Sequence, residues 1–228
     1  MNYYQIQDII KNTSKEQTIV FPNTNSGYGT RSNGICTENQ KLKPISHYGV
    51  TKCDSEDLLL KNGNAIIFRF ATVFGVSPRM RLDLLVNEFV YKALTDKYIT
   101  IFERKAVRNY IHIRDVADVF NFMIDNKDEY KGEIFNVGLS DANINKQELA
   151  ELIKKYISDF AITYSDYYED PDKRDYIVSN EKIENTGWTP KYNLDDGIKE
   201  LMMAYQIIIN NDTSHFRNGF PLTYGAAL

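Results

Sequence analysis

The sequence predicts an α/β fold built around a parallel sheet, and three observations in its first 75 residues carry that expectation. Thr18-Ile19-Val20-Phe21 is a short apolar run of the kind a buried strand makes. Ser46 to Lys61 reads as a helix, closed by the turn residues Asn62-Gly63-Asn64. Ala65 to Phe70 is a second strand, and its near-continuous apolar character is that of a strand covered by helices on both faces. Strand, helix, strand in this order is a βαβ unit.

The other elements follow in order. Tyr4, Ile6, Ile9 and Ile10 give Tyr3 to Lys11 a helical pattern. Thr24 closes the first apolar run, and a polar loop is expected from Thr30 to Pro44. Beyond Gly75 the helices lengthen. Leu82 to Leu94 reads as an amphipathic helix, Ile99 to Phe102 and Tyr110 to Ile113 as strands, and Val116 to Asn126 as a helix. Glu133 to Gly138 is a further strand, and Asn145 is the expected N-cap of a helix from Lys146 to Ile157. Phe160 to Tyr164 is strand-like and Asp166 to Asp175 a charged loop. Helices at Ser179 to Thr186 and Leu194 to Ile209 complete the fold, and Asn211 to Leu228 reads as a poorly ordered tail.

Composition narrows the function classes. A chain of 228 residues forms one domain, or a domain with a smaller lobe. Its net charge of −4 gives no support to a nucleic-acid partner, which demands a basic surface, although local arginines leave an anionic small ligand open. No apolar run approaches the roughly 20 residues of a membrane helix. Met1-Asn2-Tyr3-Tyr4-Gln5 lacks the basic and apolar regions of an export signal, so a cytoplasmic protein is expected. Cys36, in the polar loop, and Cys53, in the helix, read as free thiols. His47, His112 and His215 are too scattered to argue for a metal.

The chemistry is concentrated in Tyr48-Gly49-Val50-Thr51-Lys52 and Thr24-Asn25-Ser26-Gly27-Tyr28-Gly29. Residues four apart are neighbours on a helix, so Tyr48 and Lys52 share one face. Holding a phenol as phenolate at pH 7 requires a shift of roughly 3 units, or about 4 kcal/mol. One cation about 4 Å away supplies on the order of 4 kcal/mol at an effective dielectric near 20. Tyr48 is thus a candidate general acid/base, and Thr24 a candidate hydrogen-bond partner at the reacting oxygen.

Thr24, Tyr28-Gly29 and Tyr48 to Lys52 occur in the order found in extended short-chain dehydrogenases/reductases, and the chain resembles their NAD-dependent sugar-nucleotide epimerase/dehydratase group from about Thr18 to Tyr205. The resemblance implies the C-terminal part of a Rossmann-like, doubly wound parallel sheet in residues 1–75. It further implies a smaller α/β substrate-binding lobe over 76–210, with about 108–126 returning to the sheet. Tyr48 becomes the catalytic base, Lys52 holds the nicotinamide ribose and lowers the Tyr48 pKa, and Thr24 takes the family's Ser/Thr role. NAD is the implied cofactor, with NADP open, and a nucleotide-diphosphate sugar the implied partner.

The same resemblance nominates further residues. Arg69-Phe70-Ala71-Thr72-Val73-Phe74-Gly75 is similar to a segment lining both nicotinamide and sugar, making Phe70 and Ala71 cofactor candidates and Thr72, where Asn is usual, a sugar candidate. Val107 to Ala117 resembles the stretch in which Arg108 contacts the diphosphate, a task suited to a planar guanidinium. The bland alternative is a solvated strand-edge charge. Arg174 is a second diphosphate candidate, and Asn87 a weaker sugar candidate whose alternative is an exposed helix position. Arg79 and Arg81 face either ligand or water. Asp115 reads as an N-cap, His112 as a packed strand residue, and Gly187-Trp188-Thr189-Pro190 as a structural turn.

Two departures shape the expected activity. Dehydratases of this group carry an acidic pair after the threonine, where this chain has Asn25-Ser26, so 4-epimerisation through a transient 4-keto sugar, or 4-keto reduction, is expected ahead of 4,6-dehydration. The family's Gly-x-x-Gly-x-x-Gly loop, which cradles the cofactor pyrophosphate, does not occur before Thr18. The expectation is an epimerase-like protein that works only when that half is supplied, for instance by a separate chain. A noncatalytic sugar-nucleotide-binding remnant is the alternative, and a homodimer is open.

Overall fold

The computed structural model describes residues 2–165 and 174–209, with the side chains of residues 2 and 31–33 excepted. The expected tail at 211–228 and most of the charged loop at 166–175 lie outside the described residues.

In chain order the elements are α1 (Asn2–Asn12), β1 (Ile19–Thr24), a 3-10 turn (Asn25–Tyr28), β2 (Thr30–Cys36), α2 (His47–Asn62), β3 (Ala65–Phe70) and β4 (Thr72–Phe74). Then come α3 (Leu85–Thr95), β5 (Tyr98–Phe102), β6 (Val107–His112), α4 (Ile113–Asp125), α5 (Lys127–Tyr130), β7 (Ile134–Val137) and β8 (Asn143–Asn145). The last are α6 (Lys146–Tyr156), β9 (Ala161–Ser165), β10 (Asp175–Val178), α7 (Glu181–Glu184) and α8 (Leu194–Ile208).

The βαβ unit forms as expected. β1 and β3 pair in parallel with Thr24 opposite Phe70, and β7 adds in parallel on the other side of β3. This sheet therefore draws β7 from outside the 1–75 and 108–126 segments expected to build it. The period of two along β3 sends alternate residues to opposite faces. Ala65 and Ile67 pack with Ile6 of α1, Phe21 of β1 and Leu59 of α2, whereas Ile66, Phe68 and Phe70 join Val119 and Met123 of α4 in the larger core. Helices thus cover both faces. Full burial of each such Ile or Phe contributes about 1.5–3 kcal/mol.

Capping sets where α2 begins and ends. Ser46 Oγ accepts from the Gly49 N–H at 3.1 Å, and Gly63, at φ 78°, takes the left-handed C-cap and donates to Leu59 O. α6 and α8 each open with a complete capping box, Asn145 with Glu148 and Asn193 with Asp196.

Several expectations are corrected. The polar loop from Thr30 contains β2, which pairs in parallel with β10 (Asp175–Val178), of which only Asp175 had an assignment, as the end of the charged loop. Cys36 is consequently a fully buried strand residue rather than a loop thiol. Asp115 is not a cap. His112 caps α4, its Nδ1 accepting from the Arg114 N–H at 3.2 Å, and Asp115 instead accepts from the N–H groups of Lys191 and Tyr192 at 2.9 and 3.1 Å. With Nδ1 an acceptor, His112 Nε2 carries the proton and donates to Glu200 at 2.7 Å. Trp188 packs as expected, its indole donating to Asp118 at 2.8 Å. No helix among the described residues is long and apolar enough to cross a membrane.

Candidate active site

The register of β1 against β3 brings Thr24 beside Phe70, so the residues that follow both strands open into one space at their carboxyl ends. That is where open α/β sheets bind ligands. There a cavity of about 610 Å³ is lined by Thr24, Ser26, Tyr48, Phe70, Ala71, Thr72, Arg81, Arg174 and Tyr176, among others. Of the residues singled out from sequence, seven meet in it: Thr24, Tyr48, Phe70, Ala71, Thr72, Arg81 and Arg174.

Thr24 turns its hydroxyl inward on its own chain. Its Oγ1 accepts from the Ser26 N–H at 3.1 Å, capping the 3-10 turn, and lies 2.9 Å from Ser26 Oγ. Arg174 Nη1 in turn donates to Ser26 Oγ. Ser26, where an acidic residue was absent from the motif, thus links the threonine to an arginine 148 positions away.

Tyr48 stands on the first turn of α2, half exposed. Burial among the cavity walls raises its pKa above the ordinary phenol value, opposed first by Arg174 and then by Arg81. The expected cation was Lys52. Its Nζ instead donates to Pro22 O at 2.6 Å, lies 4.6 Å from the centre of the Phe21 ring, and is 6.0 Å from that of Tyr48. Burial lowers the Lys52 pKa. The physical reason for the difference is reach: a strand carbonyl and an aromatic face lie closer to the ammonium than the phenol does.

The remaining candidates lie around the cavity. Asn87, far from being an exposed helix position, is buried; its Oδ1 accepts from Gly75 N at 3.1 Å and its Nδ2 donates to Arg81 O at 2.9 Å. It pins the loop that carries Arg81. Arg108 is likewise buried rather than solvated, with its guanidinium 5.7 Å from the centre of the Tyr176 ring and Nη1 donating to Val107 O. Arg81 is gripped by Asp83 through Nε at 3.0 Å and Nη2 at 2.6 Å.

Ser26 and Tyr176 were not nominated from sequence. Tyr176 had no local signal, because its strand exists only by pairing with β2. Ser26 stood in plain view beside Thr24, and only the approach of Arg174 shows its place.

Fold and cavity define an α/β protein with a Tyr/Lys helix at the carboxyl edge of a parallel sheet. The model of the NAD dependent epimerase/dehydratase family matches residues 4–138, and the chain belongs to that family. It is 36% identical over 128 residues to the Bacillus subtilis protein YtcB, described as an uncharacterized UDP-glucose epimerase; the match covers 54% of this chain and 39% of YtcB. Against human dTDP-D-glucose 4,6-dehydratase the identity is 24%, over 87% of this chain and 59% of that protein. Among solved structures, UDP-glucuronic acid 4-epimerase of Bacillus cereus, in complex with UDP-glucuronic acid and NAD, superposes with a TM-score of 0.78 at 24% identity, covering 90% of this chain and 67% of that one. The Bacillus anthracis dTDP-glucose 4,6-dehydratase, in complex with NAD, gives a TM-score of 0.75 at 22% identity, covering 91% of this chain and 66% of that one. At these identities the structural likeness is one of fold. The chain spans less than two thirds of the length of the curated relatives named here.

Proposed function

We propose that this chain is the acid/base and sugar-binding part of an NAD-dependent sugar-nucleotide 4-epimerase. The observation that carries the reading is the meeting of Thr24, Tyr48, Thr72 and Arg174 in one cavity at the carboxyl ends of β1 and β3. Tyr48 Oη holds and moves the proton of a sugar hydroxyl. Arg174 and Arg81 favour its anionic form against the cost of burial. Thr24 and Thr72 offer hydroxyls to the sugar, and Arg108 and Arg174 are the candidates for the diphosphate.

The residues at the nicotinamide end suit the cofactor. An ammonium has three donors, and Lys52 spends one on Pro22 O, leaving two for ribose hydroxyls. Phe70 and Ala71 supply an apolar wall in the same cavity as Tyr48. NAD, when bound, supplies the hydride acceptor and donor that inversion at a carbinol carbon requires. The 228 residues carry no Gly-x-x-Gly-x-x-Gly run, so in this reading the cofactor's pyrophosphate is held by residues outside them. Asn25-Ser26 supplies no carboxylate pair, which argues for epimerisation over 4,6-dehydration.

The test is turnover of a panel of sugar nucleotides with NAD, the chain being completed by a glycine-rich NAD-binding segment, beside the same preparation carrying Tyr48→Phe. Turnover that needs Tyr48 is expected. If turnover is absent while sugar nucleotides still bind, the second reading, a noncatalytic sugar-nucleotide-binding subunit, takes its place.

A further inference from the structure

A third residue decides the direction of the hydrogen bond between Thr24 and Ser26. Ser26 is 2% exposed, and among the described residues its hydroxyl meets two groups, Thr24 Oγ1 at 2.9 Å and Nη1 of Arg174. A guanidinium only donates, so toward Arg174 the Ser26 oxygen is the acceptor. The Ser26 hydrogen then goes to Thr24 Oγ1, because the opposite direction would leave a buried O–H unpaired, which costs about 1–3 kcal/mol. We propose that Ser26 is a positioning residue: with Arg174 behind it, it makes the Thr24 hydroxyl a donor only, presented to the oxygen on the reacting carbon of the sugar. This rests on the reading of the cavity as a sugar-nucleotide site.

The count of lone pairs on Thr24 carries the argument further. A hydroxyl oxygen has two. The Ser26 N–H takes one at 3.1 Å and the Ser26 O–H takes the other. What remains is the Thr24 hydrogen, at the end of β1 on the wall of the cavity that also holds Tyr48. Thr24 can therefore donate to a sugar oxygen and cannot accept from it. A sugar hydroxyl placed between Thr24 and Tyr48 has only the Tyr48 oxygen to receive its own hydrogen, so it is oriented to lose its proton there. As that carbon becomes a carbonyl, its oxygen keeps the Thr24 hydrogen bond. No proton passes through Ser26; the cation at the head of the chain polarises each bond after it.

The rest of the turn holds this arrangement in place. The Ser26 N–H caps the 3-10 turn at Thr24, Gly29 donates to Ser26 O at 3.3 Å, and Tyr28 between them is tied to Arg69 and Asn136. Only the Ser26 hydroxyl sets the direction. An ionised carboxylate in its place would accept from Arg174 and from Thr24 alike, drawing the Thr24 hydrogen away from the cavity.

Calorimetry on the 228-residue chain would compare UDP-glucose with its 4-deoxy analogue, and the matched dTDP pair, in a Tyr48→Phe background so that the phenolic hydroxyl makes no contribution. The 4-oxygen of the accepted nucleotide is expected to tighten binding about 3- to 10-fold. Adding Ser26→Asp should bring that ratio close to one, and Ser26→Ala, which keeps the N–H cap but leaves the Thr24 hydrogen undirected, to an intermediate value. Ser26→Thr, which keeps a hydroxyl, should preserve it; circular dichroism confirms that each variant is folded. A ratio of one in the Tyr48→Phe chain, or a ratio untouched by both Ser26→Asp and Ser26→Ala, overturns the inference while the sugar-nucleotide reading stands. Binding of none of the four ligands overturns both.

Discussion

Arg69 of β3 and Glu56 of α2 form a bidentate pair sealed between helix and sheet. Nη2 meets Oε1 at 2.5 Å and Nε meets Oε2 at 3.1 Å, with the two side chains 4% and 3% exposed. The pair is not alone. Asn23 donates to Glu56 Oε2, Arg69 Nη1 donates to Tyr28 Oη at 2.9 Å, and Tyr28 Oη donates to Asn136 Oδ1 at 2.7 Å. The network ties β1, β3 and β7 to α2 and to the 3-10 turn that carries Ser26, so the floor of the cavity is braced from beneath.

Removing one partner strands a buried charge, which typically costs about 3–5 kcal/mol. Glu56→Ala is expected to lose stability of that order in urea denaturation. The double replacement Arg69→Met with Glu56→Leu should lose far less, since no charge is left unpaired. A Glu56→Ala protein within about 1 kcal/mol of the parent would show that water reaches the site and that the pair contributes little.

Tyr48 is expected to titrate above an ordinary tyrosine, as burial outweighs the two arginines. The difference in tyrosinate absorbance between the parent and Tyr48→Phe isolates this one phenol. Arg174→Gln removes the larger of the two opposing charges and should push the midpoint higher still. Because folding raises the pKa of this acid, the linked stability is whole below the unfolded value of about 10 and is lost as pH rises through the folded one. A midpoint that falls in Arg174→Gln would contradict the electrostatic picture of the cavity.

Gly29 closes the 3-10 turn at φ 70°, and a Cβ built there would sit 2.1 Å from the Lys43 carbonyl oxygen. Neither the conformation nor the contact can be relieved by moving a flexible side chain. Gly29→Ala is therefore expected to cost more than about 1 kcal/mol in thermal or urea unfolding. Gly63→Ala meets no neighbouring atom, and its penalty comes from φ alone, so it should be the milder of the two.

Cys53 faces a pocket wall beside Glu56, and burial, then the Glu56 charge, pushes its thiol up to about 11. At pH 8 only on the order of one molecule in a thousand carries the reactive thiolate. Iodoacetamide is expected to label Cys53 slowly and the fully buried Cys36 not at all until the protein is unfolded, as peptide mass spectrometry would show. Rapid labelling of either in the folded chain would contradict this packing.

What could be read in advance was what is written locally. The βαβ unit, the Ser46 to Gly63 helix and the Asn145 cap rest on periodicity and on single capping residues, so a window of some 15 residues contains the information. β2, β4, β8 and β10 did not register: β4 and β8 have three residues each, Thr30–Cys36 is mostly polar, and Asp175–Val178 opens on the last residue of a charged loop. Their pairing partners lie far along the chain, Cys36 with Val178 among them. Asp115 was misplaced for a similar reason: a carboxylate near a helix start looks like a cap unless one knows that Lys191 and Tyr192 come to meet it.

By itself the sequence determined the α/β class, the Tyr48 and Lys52 helix and the membership that both imply, because these depend on residue order and on contacts between near neighbours. Only the tertiary structure decided which charges act on Tyr48. Lys52, four residues away, is drawn to the Pro22 carbonyl, whereas Arg81 and Arg174 arrive from 33 and 126 positions further on and set the character of the cavity. Electrostatic influence follows distance in space, and distance in space is what the packing of strands and helices fixes.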